Sequence, residues 1–219
     1  MIIAIDGPAG AGKSTIAKNL AARLGFFYVD TGAMYRALTL KVIKNKLNFE
    51  DTKTLLELAH NTEISLRQQK DKKMRIFLDG DDVSEQIRAP ELTQSVFKIA
   101  RIPEIRELMV AWQREYGRDH SIVMEGRDIG TVVFPKAEKK FYLDATCQIR
   151  AQRRFKELKD KGVEADLEEI IRQIQQRDQR DKNRSCGPLK KAADAVYIDT
   201  SDLNITQVLE ALLGYIGDE

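Results

Sequence analysis

The amino-acid sequence predicts an α/β fold, a three-layer α/β/α domain around a central parallel sheet of five strands. Short apolar segments without polar alternation recur along the chain, which is typical of strands covered on both faces. Segments with helical spacing separate them, and the connections are short, as in parallel sheets. A carboxylate follows each apolar segment, at the position where such sheets place ligands: Asp6, Asp30, Glu125, Asp144 and Asp199.

The N-terminal elements follow this alternation. We predict a strand over Ile2–Ile5 and, after a glycine-rich loop, a helix over Ile16–Leu24 that ends at Gly25. A second strand, Phe27–Val29, leads to a second helix, Ala33–Lys44.

Residues 60–90 do not continue the alternation. Ile64–Arg67 and Met74–Leu78 alternate like the strands of a hairpin around the charged turn Gln69–Lys73, and Asp79–Asp81 is a second turn. We therefore predict an insertion in this region.

The alternation resumes after the insertion. One further helix and two strands are expected before the C-terminal third, and that third adds two helices, a strand and a last helix. In chain order the clearest are helix Ile102–Gly117, strand Ser121–Met124, strand Lys140–Leu143, helices Cys147–Lys161 and Asp166–Asp181, strand Ala195–Ile198 and helix Ile205–Tyr215.

Composition restricts the class of protein. Of the 219 residues, 42% are hydrophobic, which is enough for a sizeable core and excludes disorder. The net charge of +2 argues against a dedicated nucleic-acid binder. Cys147 and Cys186 form no CxxC pair, so we expect reduced thiols without zinc. With neither a signal peptide nor a membrane-length apolar run in the sequence, we expect a cytoplasmic protein that does not bind membranes.

The loop after the first strand carries the strongest motif. Gly7 and Gly12, followed by Lys13 and Ser14, match the P-loop pattern GxxxxGK[ST] between a predicted strand and a helix. Glycines let backbone N–H groups approach phosphate oxygens, Lys13 supplies a charge for the β- and γ-phosphates, and the Ser14 hydroxyl suits Mg²⁺. The predicted ATP-binding residues are Gly7, Pro8, Ala9, Gly10, Ala11, Gly12, Lys13, Ser14 and Thr15.

Arginines are concentrated after two predicted strands and in one segment of the C-terminal third. Arg36 and Arg127 follow predicted strands, and residues 172–191 hold seven cations against two carboxylates, a local charge of +5. A solvated helix face is the ordinary interpretation of such a run. Behind a P-loop, phosphoryl transfer is the alternative, because it depends on positioning and on neutralising the transferring group. Arginine forks serve that purpose and keep their proton.

Three classes of P-loop protein stay open at this point: a nucleotide switch, an ATP-driven motor and a small-molecule kinase. The guanine-reading NKxD pattern is missing, since Asn45-Lys46 and Asn183-Arg184 lack the aspartate two positions on. This weakens the GTPase interpretation, and the arginines favour a kinase.

Four motifs together resemble the bacterial cytidylate kinases, over essentially the whole chain. They are the loop Gly7–Thr15, the segment Asp30–Arg36, the segment Glu125–Thr131, and Arg177-Asp178-x-x-Asp181-x-x-Arg184. The resemblance implies transfer of the γ-phosphoryl group of ATP to CMP or dCMP with Mg²⁺. It also implies one nucleoside monophosphate kinase domain, in which 1–37, 102–150 and 190–219 form the core, 38–101 the acceptor part with its insertion, and 151–189 a helical lid.

The resemblance also assigns roles to individual residues. Lys13, Arg127, Arg154 and Arg184 are expected to be catalytic, with Arg154 in the lid. The residues expected to bind CMP are Thr31, Arg36, Arg106, Arg127, Asp128, Arg177, Asp181 and Arg184. Among them, Asp128 and Arg106 match cytosine-reading positions, and a carboxylate can accept the cytosine N4 amino proton.

Alternatives remain for these assignments. One alternative is that Asp128 forms a structural pair with Arg127. Another is that Arg106 is an ordinary surface arginine. Phe97 stands where the family usually has a serine of the base pocket, and Glu125 stands for an aspartate. A kinase for UMP, AMP or another metabolite is therefore the neighbouring hypothesis, and a regulatory nucleotide-binding protein the distant one. We expect a monomer.

Overall fold

The structure, a computed structural model, describes residues 1–69 and 74–217. Its strands are β1 (Ile2–Asp6), β2 (Phe27–Asp30), β3 (Ile64–Gln68), β4 (Met74–Leu78), β5 (Asp81–Asp82), β6 (Ile122–Gly126), β7 (Lys139–Asp144) and β8 (Val196–Asp199). Its α-helices are α1 (Lys13–Leu24), α2 (Thr31–Lys44), α3 (Thr52–His60), α4 (Pro90–Ala100), α5 (Pro103–Asp119), α6 (Cys147–Asp160), α7 (Leu167–Asn183) and α8 (Ile205–Gly217). A 3₁₀ turn covers Gln86–Arg88 and a π-helical turn Ile129–Val133.

Five strands form one parallel sheet in the order β2-β6-β1-β7-β8, which confirms the predicted α/β class and strand number. The registers bring the carboxyl ends of the first strands together: Asp30 is level with Glu125, and Asp6 with Gly126. The sheet therefore presents three carboxylates at the carboxyl ends of β1, β2 and β6, beside the loop that leaves β1.

Both faces of the sheet are covered, which explains the unbroken apolar strands. In β1, Ile3 and Ile5 belong to the core that packs under α1 and α8. Ala4 belongs to the opposite core, which includes Met34 of α2 and Met109 of α5. Because alternate residues of a strand point to opposite faces, a strand between two cores must be apolar at every position.

The insertion is a small antiparallel sheet in the order β3-β4-β5. The predicted hairpin strands are confirmed, with Ile64 level with Leu78, whereas residues 70–73 of the predicted turn Gln69–Lys73 lie outside the described residues. Sequence reasoning missed α3 and α4. Helix α3 is only nine residues long, and its start depends on the Asp51 carboxylate, which accepts from the Thr54 N–H.

Helices α6 and α7 form an antiparallel hairpin with its own small core, in which Ala151 of α6 packs with Ile170 and Ile174 of α7. Among the described residues, no helix combines the length and apolar character needed to cross a membrane. Cys147 and Cys186 are free and half-buried.

Candidate active site

The loop between β1 and α1 has the backbone geometry of a phosphate cradle. Gly7 has φ +146°, and a Cβ there would lie 1.9 Å from the Leu143 carbonyl oxygen. Gly12 is the N-cap of α1 with φ +85°, a left-handed conformation that favours glycine. Glycine is therefore required at position 7 because the Leu143 carbonyl approaches closely, and it is favoured at position 12 because the backbone is left-handed. The free N–H groups of α1 face the loop.

Lys13 is buried at the first position of α1, and its Nζ donates to the Pro8 carbonyl at 2.6 Å. Burial, followed by repulsion from Arg127, lowers the pKa of Lys13 to about 7. Glu125 and Asp6 oppose this shift, and Arg177 adds to it. The loop lysine therefore lies in the field of arginines from two distant segments.

Oxygen ligands gather beside the loop. The Ser14 hydroxyl lies close to the buried Glu125 carboxylate and favours its charged form, and this carboxylate accepts from the Tyr28 hydroxyl. Burial and the nearby Asp30 raise the pKa of Glu125. A hydroxyl and two carboxylates form a hard-oxygen donor set of the kind that suits Mg²⁺ bound to nucleotide phosphates. Among the described residues, no group of three or more His, Cys, Asp or Glu side chains is arranged to hold a metal ion.

A second cluster of charges faces the loop from β6 and α7. Arg127 Nε donates to Asp181 Oδ2 at 2.9 Å. Arg177 lies close enough to Arg127 and Arg36 that burial and their charges lower its pKa to about 10. Arg36 itself forms a 3.0 Å ion pair with Asp30. Holding this many half-buried cations together costs electrostatic energy, and a bound polyanion would relieve that cost.

A third group lies deeper. The Arg106 guanidinium donates to the Asp128 carboxylate, and both side chains are buried. Arg184 pairs with the other Asp128 oxygen at 3.3 Å, and its Nε donates to the Gly187 carbonyl. The Tyr35 hydroxyl is buried without a hydrogen-bond partner in the described structure, and burial raises its pKa to about 12.

This geometry corrects two alternatives from the sequence. Arg106 is not a surface arginine, because only 4% of it is exposed. Asp128 does not pair with Arg127, because Arg127 is taken by Asp181 and Asp128 by Arg106 and Arg184. The partners of Asp128 come from α5 and from the residue that follows α7, and no local pattern connects these positions to residue 128.

Among the expected site residues, Arg154 lies apart from these clusters, and Thr31 contacts only the backbone beside them. Arg154 pairs with Glu157 at 2.8 Å on an exposed face of α6. The Thr31 hydroxyl donates to the Glu125 carbonyl at 2.7 Å, so it joins α2 to the end of β6. Phe97, at the position of the family serine, is 38% exposed and lies 4.7 Å from the Arg180 guanidinium.

Four contributors are not among the expected ATP-binding, CMP-binding or catalytic residues. Arg150 donates to the Ala9 carbonyl of the loop at 3.0 Å and to both Asp178 oxygens, at 3.1 and 2.6 Å. Asp6 accepts from the N–H groups of Ile129 and Gly130, both at 2.8 Å, and so shapes the turn after Asp128. Asp178, which Arg150 binds, and Tyr28 are the other two contributors. The only sequence signal for Asp178 is its place inside the Arg177–Arg184 motif.

The sheet order, the phosphate loop and the facing cations place this chain in the class of P-loop phosphotransferases. The family model described as cytidylate kinase matches residues 3–218. A cytidylate kinase of Caldanaerobacter subterraneus subsp. tengcongensis is 50% identical over 208 residues, which cover 95% of this chain and 91% of that protein. The chain belongs to the cytidylate kinase family, and its activity is ATP-dependent phosphorylation of CMP or dCMP.

A second relative agrees with this family, and a solved structure shares the fold. A cytidylate kinase of Desulforamulus reducens is 48% identical over 214 residues, covering 98% of this chain and 96% of that protein. A solved structure of an uncharacterized protein from Eubacterium ventriosum has a TM-score of 0.55 at 14% identity. It covers 100% of this chain and 99% of that one, and it shows similarity of fold alone.

Proposed function

We propose that the protein transfers the γ-phosphoryl group between the phosphate loop and the arginines of β6 and α7, converting CMP or dCMP into the diphosphate and ATP into ADP. The observation that carries this assignment is the convergence of Lys13, Arg127 and Arg177: beside the effect of burial, the charge of Arg127 lowers the pKa of both Lys13 and Arg177. Two phosphate chains brought end to end need this density of positive charge.

The loop side of the site suits ATP. Backbone N–H groups of the loop and of the first turn of α1 bind phosphate oxygens, and Lys13 reaches the β- and γ-phosphates. Ser14, with Glu125 beside it, would hold Mg²⁺, which when bound neutralises charge on the same phosphates. The buried Lys13 then exchanges its bond to the Pro8 carbonyl for phosphate oxygens.

The opposite side suits a pyrimidine monophosphate. Asp128 accepts from the cytosine amino group, and its pair with Arg106 holds the carboxylate in place. Arg36, Arg127 and Arg184 bind the acceptor phosphate, and Arg177 and Asp181 contact the sugar. Arg127 stays close to the phosphoryl group as it moves, so its charge acts in the transition state.

Helices α6 and α7 form the lid in this proposal, and residues 38–101 the acceptor part. Arg154 would reach the phosphates only after leaving Glu157, an exposed pair that contributes little stability. Closure of the lid excludes water and limits hydrolysis of ATP. A monomeric state and a cytoplasmic location stay predictions.

The test is an acceptor panel. CMP, dCMP, UMP, AMP and GMP are each offered with ATP and Mg²⁺, and ADP formation is followed by a coupled assay. We expect CMP and dCMP to give the highest kcat/KM. Lys13→Ala is expected to remove nearly all turnover, and Lys44→Ala, an exposed lysine at the end of α2, none.

Two results would contradict the proposal. ADP formation that does not depend on an acceptor would remove the kinase assignment. A preference for UMP or AMP would remove the role of Asp128 and Arg106 in cytosine recognition.

A further inference from the structure

Tyr28 is a buried tyrosine whose hydroxyl is directed at the site. Only 6% of the residue is exposed, and its hydroxyl donates a hydrogen bond to Glu125 Oε1. No family motif quoted above includes Tyr28, and the proposed function gives it no role.

The fold explains why the two side chains meet. Tyr28 and Glu125 come from adjacent parallel strands, β2 and β6, and Glu125 is level with Asp30, two residues beyond Tyr28. Helix α1 packs over both strands, and its Lys18 places Nζ 5.6 Å from the centre of the Tyr28 ring. Ser14, one helical turn before Lys18, lies against Tyr28 and Glu125.

Glutamate needs such a contact more than aspartate does. Its longer side chain has one more rotatable bond, so a carboxylate at position 125 has more ways to point away from Ser14. The Tyr28 hydroxyl binds one carboxylate oxygen and restricts these orientations. Hydrogen bonds of this kind behind a metal-binding oxygen set its direction and its affinity for the ion.

We propose that Tyr28 is a positioning residue for the magnesium end of the nucleotide site, because its hydroxyl holds Glu125 against Ser14. This inference rests on the proposed role of Ser14 and Glu125 toward Mg²⁺ and adds the residue that orients them. In this proposal Tyr28 acts through Glu125, to which its hydroxyl donates.

The experiment measures binding of ATP by calorimetry, once with excess Mg²⁺ and once with a chelator and no divalent ion. Tyr28→Phe keeps the ring and removes the hydroxyl. We expect the gain in ATP affinity that Mg²⁺ brings to fall about ten-fold, whereas the affinity for metal-free ATP stays unchanged. A general packing defect would lower both affinities together.

Tyr116→Phe is the matched control. The Tyr116 hydroxyl also has a protein partner, since it accepts from the Leu66 N–H at 2.9 Å, but it lies at the insertion and away from the loop. We expect this variant to change the melting temperature without changing the effect of Mg²⁺ on ATP binding.

A second variant keeps the inference testable if Tyr28→Phe does not fold. Glu125→Asp shortens the side chain beyond the reach of Tyr28 and leaves it fewer orientations, so we expect the Mg²⁺ effect in this variant to be independent of Tyr28. In the Glu125→Asp background, Tyr28→Phe should cause no further loss. An unchanged Mg²⁺ effect in Tyr28→Phe, or an additive loss in the double variant, would overturn the inference. Since calorimetry needs no turnover, these outcomes are independent of whether CMP is the acceptor.

Discussion

At the scale of single residues, the ion pair between Arg127 and Asp181 defines a choice between two roles. Arg127 is half-buried, and its charge lies close to Lys13. If Arg127 follows the moving phosphoryl group, its removal raises the barrier of the chemical step. If it only anchors the acceptor, its removal weakens binding.

We expect Arg127→Ala to lower kcat by about 10² to 10³, the range found when one charge-stabilising donor is removed. Steady-state kinetics with CMP measure this, with Arg101→Ala as control, because Arg101 pairs with Glu50 in an exposed position. An unchanged kcat with a raised KM for CMP would show that Arg127 is an anchor only.

Asp6 offers a test based on pH. Burial, partly opposed by the N–H groups of Gly130 and Ile129, raises the pKa of Asp6 to about 6. Because the folded protein binds this proton more tightly than the unfolded chain, Asp6 contributes its stability below pH about 4. The contribution is lost as the pH rises through about 6.

We therefore expect the wild type to lose about 3 kcal/mol of unfolding free energy, relative to Asp6→Asn, between pH 4 and pH 7. Urea unfolding at several pH values measures the difference between the two proteins. Parallel pH profiles would contradict the perturbed carboxyl.

At the scale of elements, one guanidinium connects the α6–α7 hairpin to the phosphate loop. Arg150 is buried on α6, binds Asp178 of α7 through two hydrogen bonds, and donates to the Ala9 and Ala145 carbonyls. The position of α7 is thereby coupled to the shape of the loop. A second contact, between Phe97 of α4 and Arg180 of α7, joins the same helix to the insertion side.

Asp178→Asn is expected to lower the unfolding free energy by about 3 kcal/mol, since it leaves the buried Arg150 charge without its anion. It should also raise the KM for ATP, because the Ala9 carbonyl loses a fixed donor. Thermal unfolding and kinetics check both effects. Glu157→Gln, which breaks only exposed pairs with Arg154 and Lys161, should leave stability within about 0.5 kcal/mol. Equal effects of the two variants would contradict the coupling.

At the scale of the whole molecule, the near balance of total charge conceals an uneven distribution of charge along the chain. The +5 segment at 172–191 supplies Arg177 and Arg184 to the site and also the carboxylates Asp178 and Asp181 that hold Arg150 and Arg127. The carboxylates of α7 therefore hold arginines that come from two other parts of the chain. This helix is more than a solvated face, although Lys182 is exposed.

The sequence by itself determined the α/β class, the P-loop and the family motifs, because these depend on local spacing. A glycine needed for a turn, a lysine at a helix start and an apolar strand are recognisable within about ten residues. The hairpin of the insertion was predictable for the same reason, whereas the short helices α3 and α4 had too few periodic positions.

Only the tertiary structure decided which charges meet. Tyr28 and Glu125 are 97 residues apart, Arg150 and Ala9 are 141 apart, and their contacts follow from the strand order and from where α6 and α7 pack. It also placed Arg154 with Glu157, outside the cluster in which the sequence had grouped it. Such pairings depend on burial and on the packing of distant elements, which residue spacing along one chain does not encode.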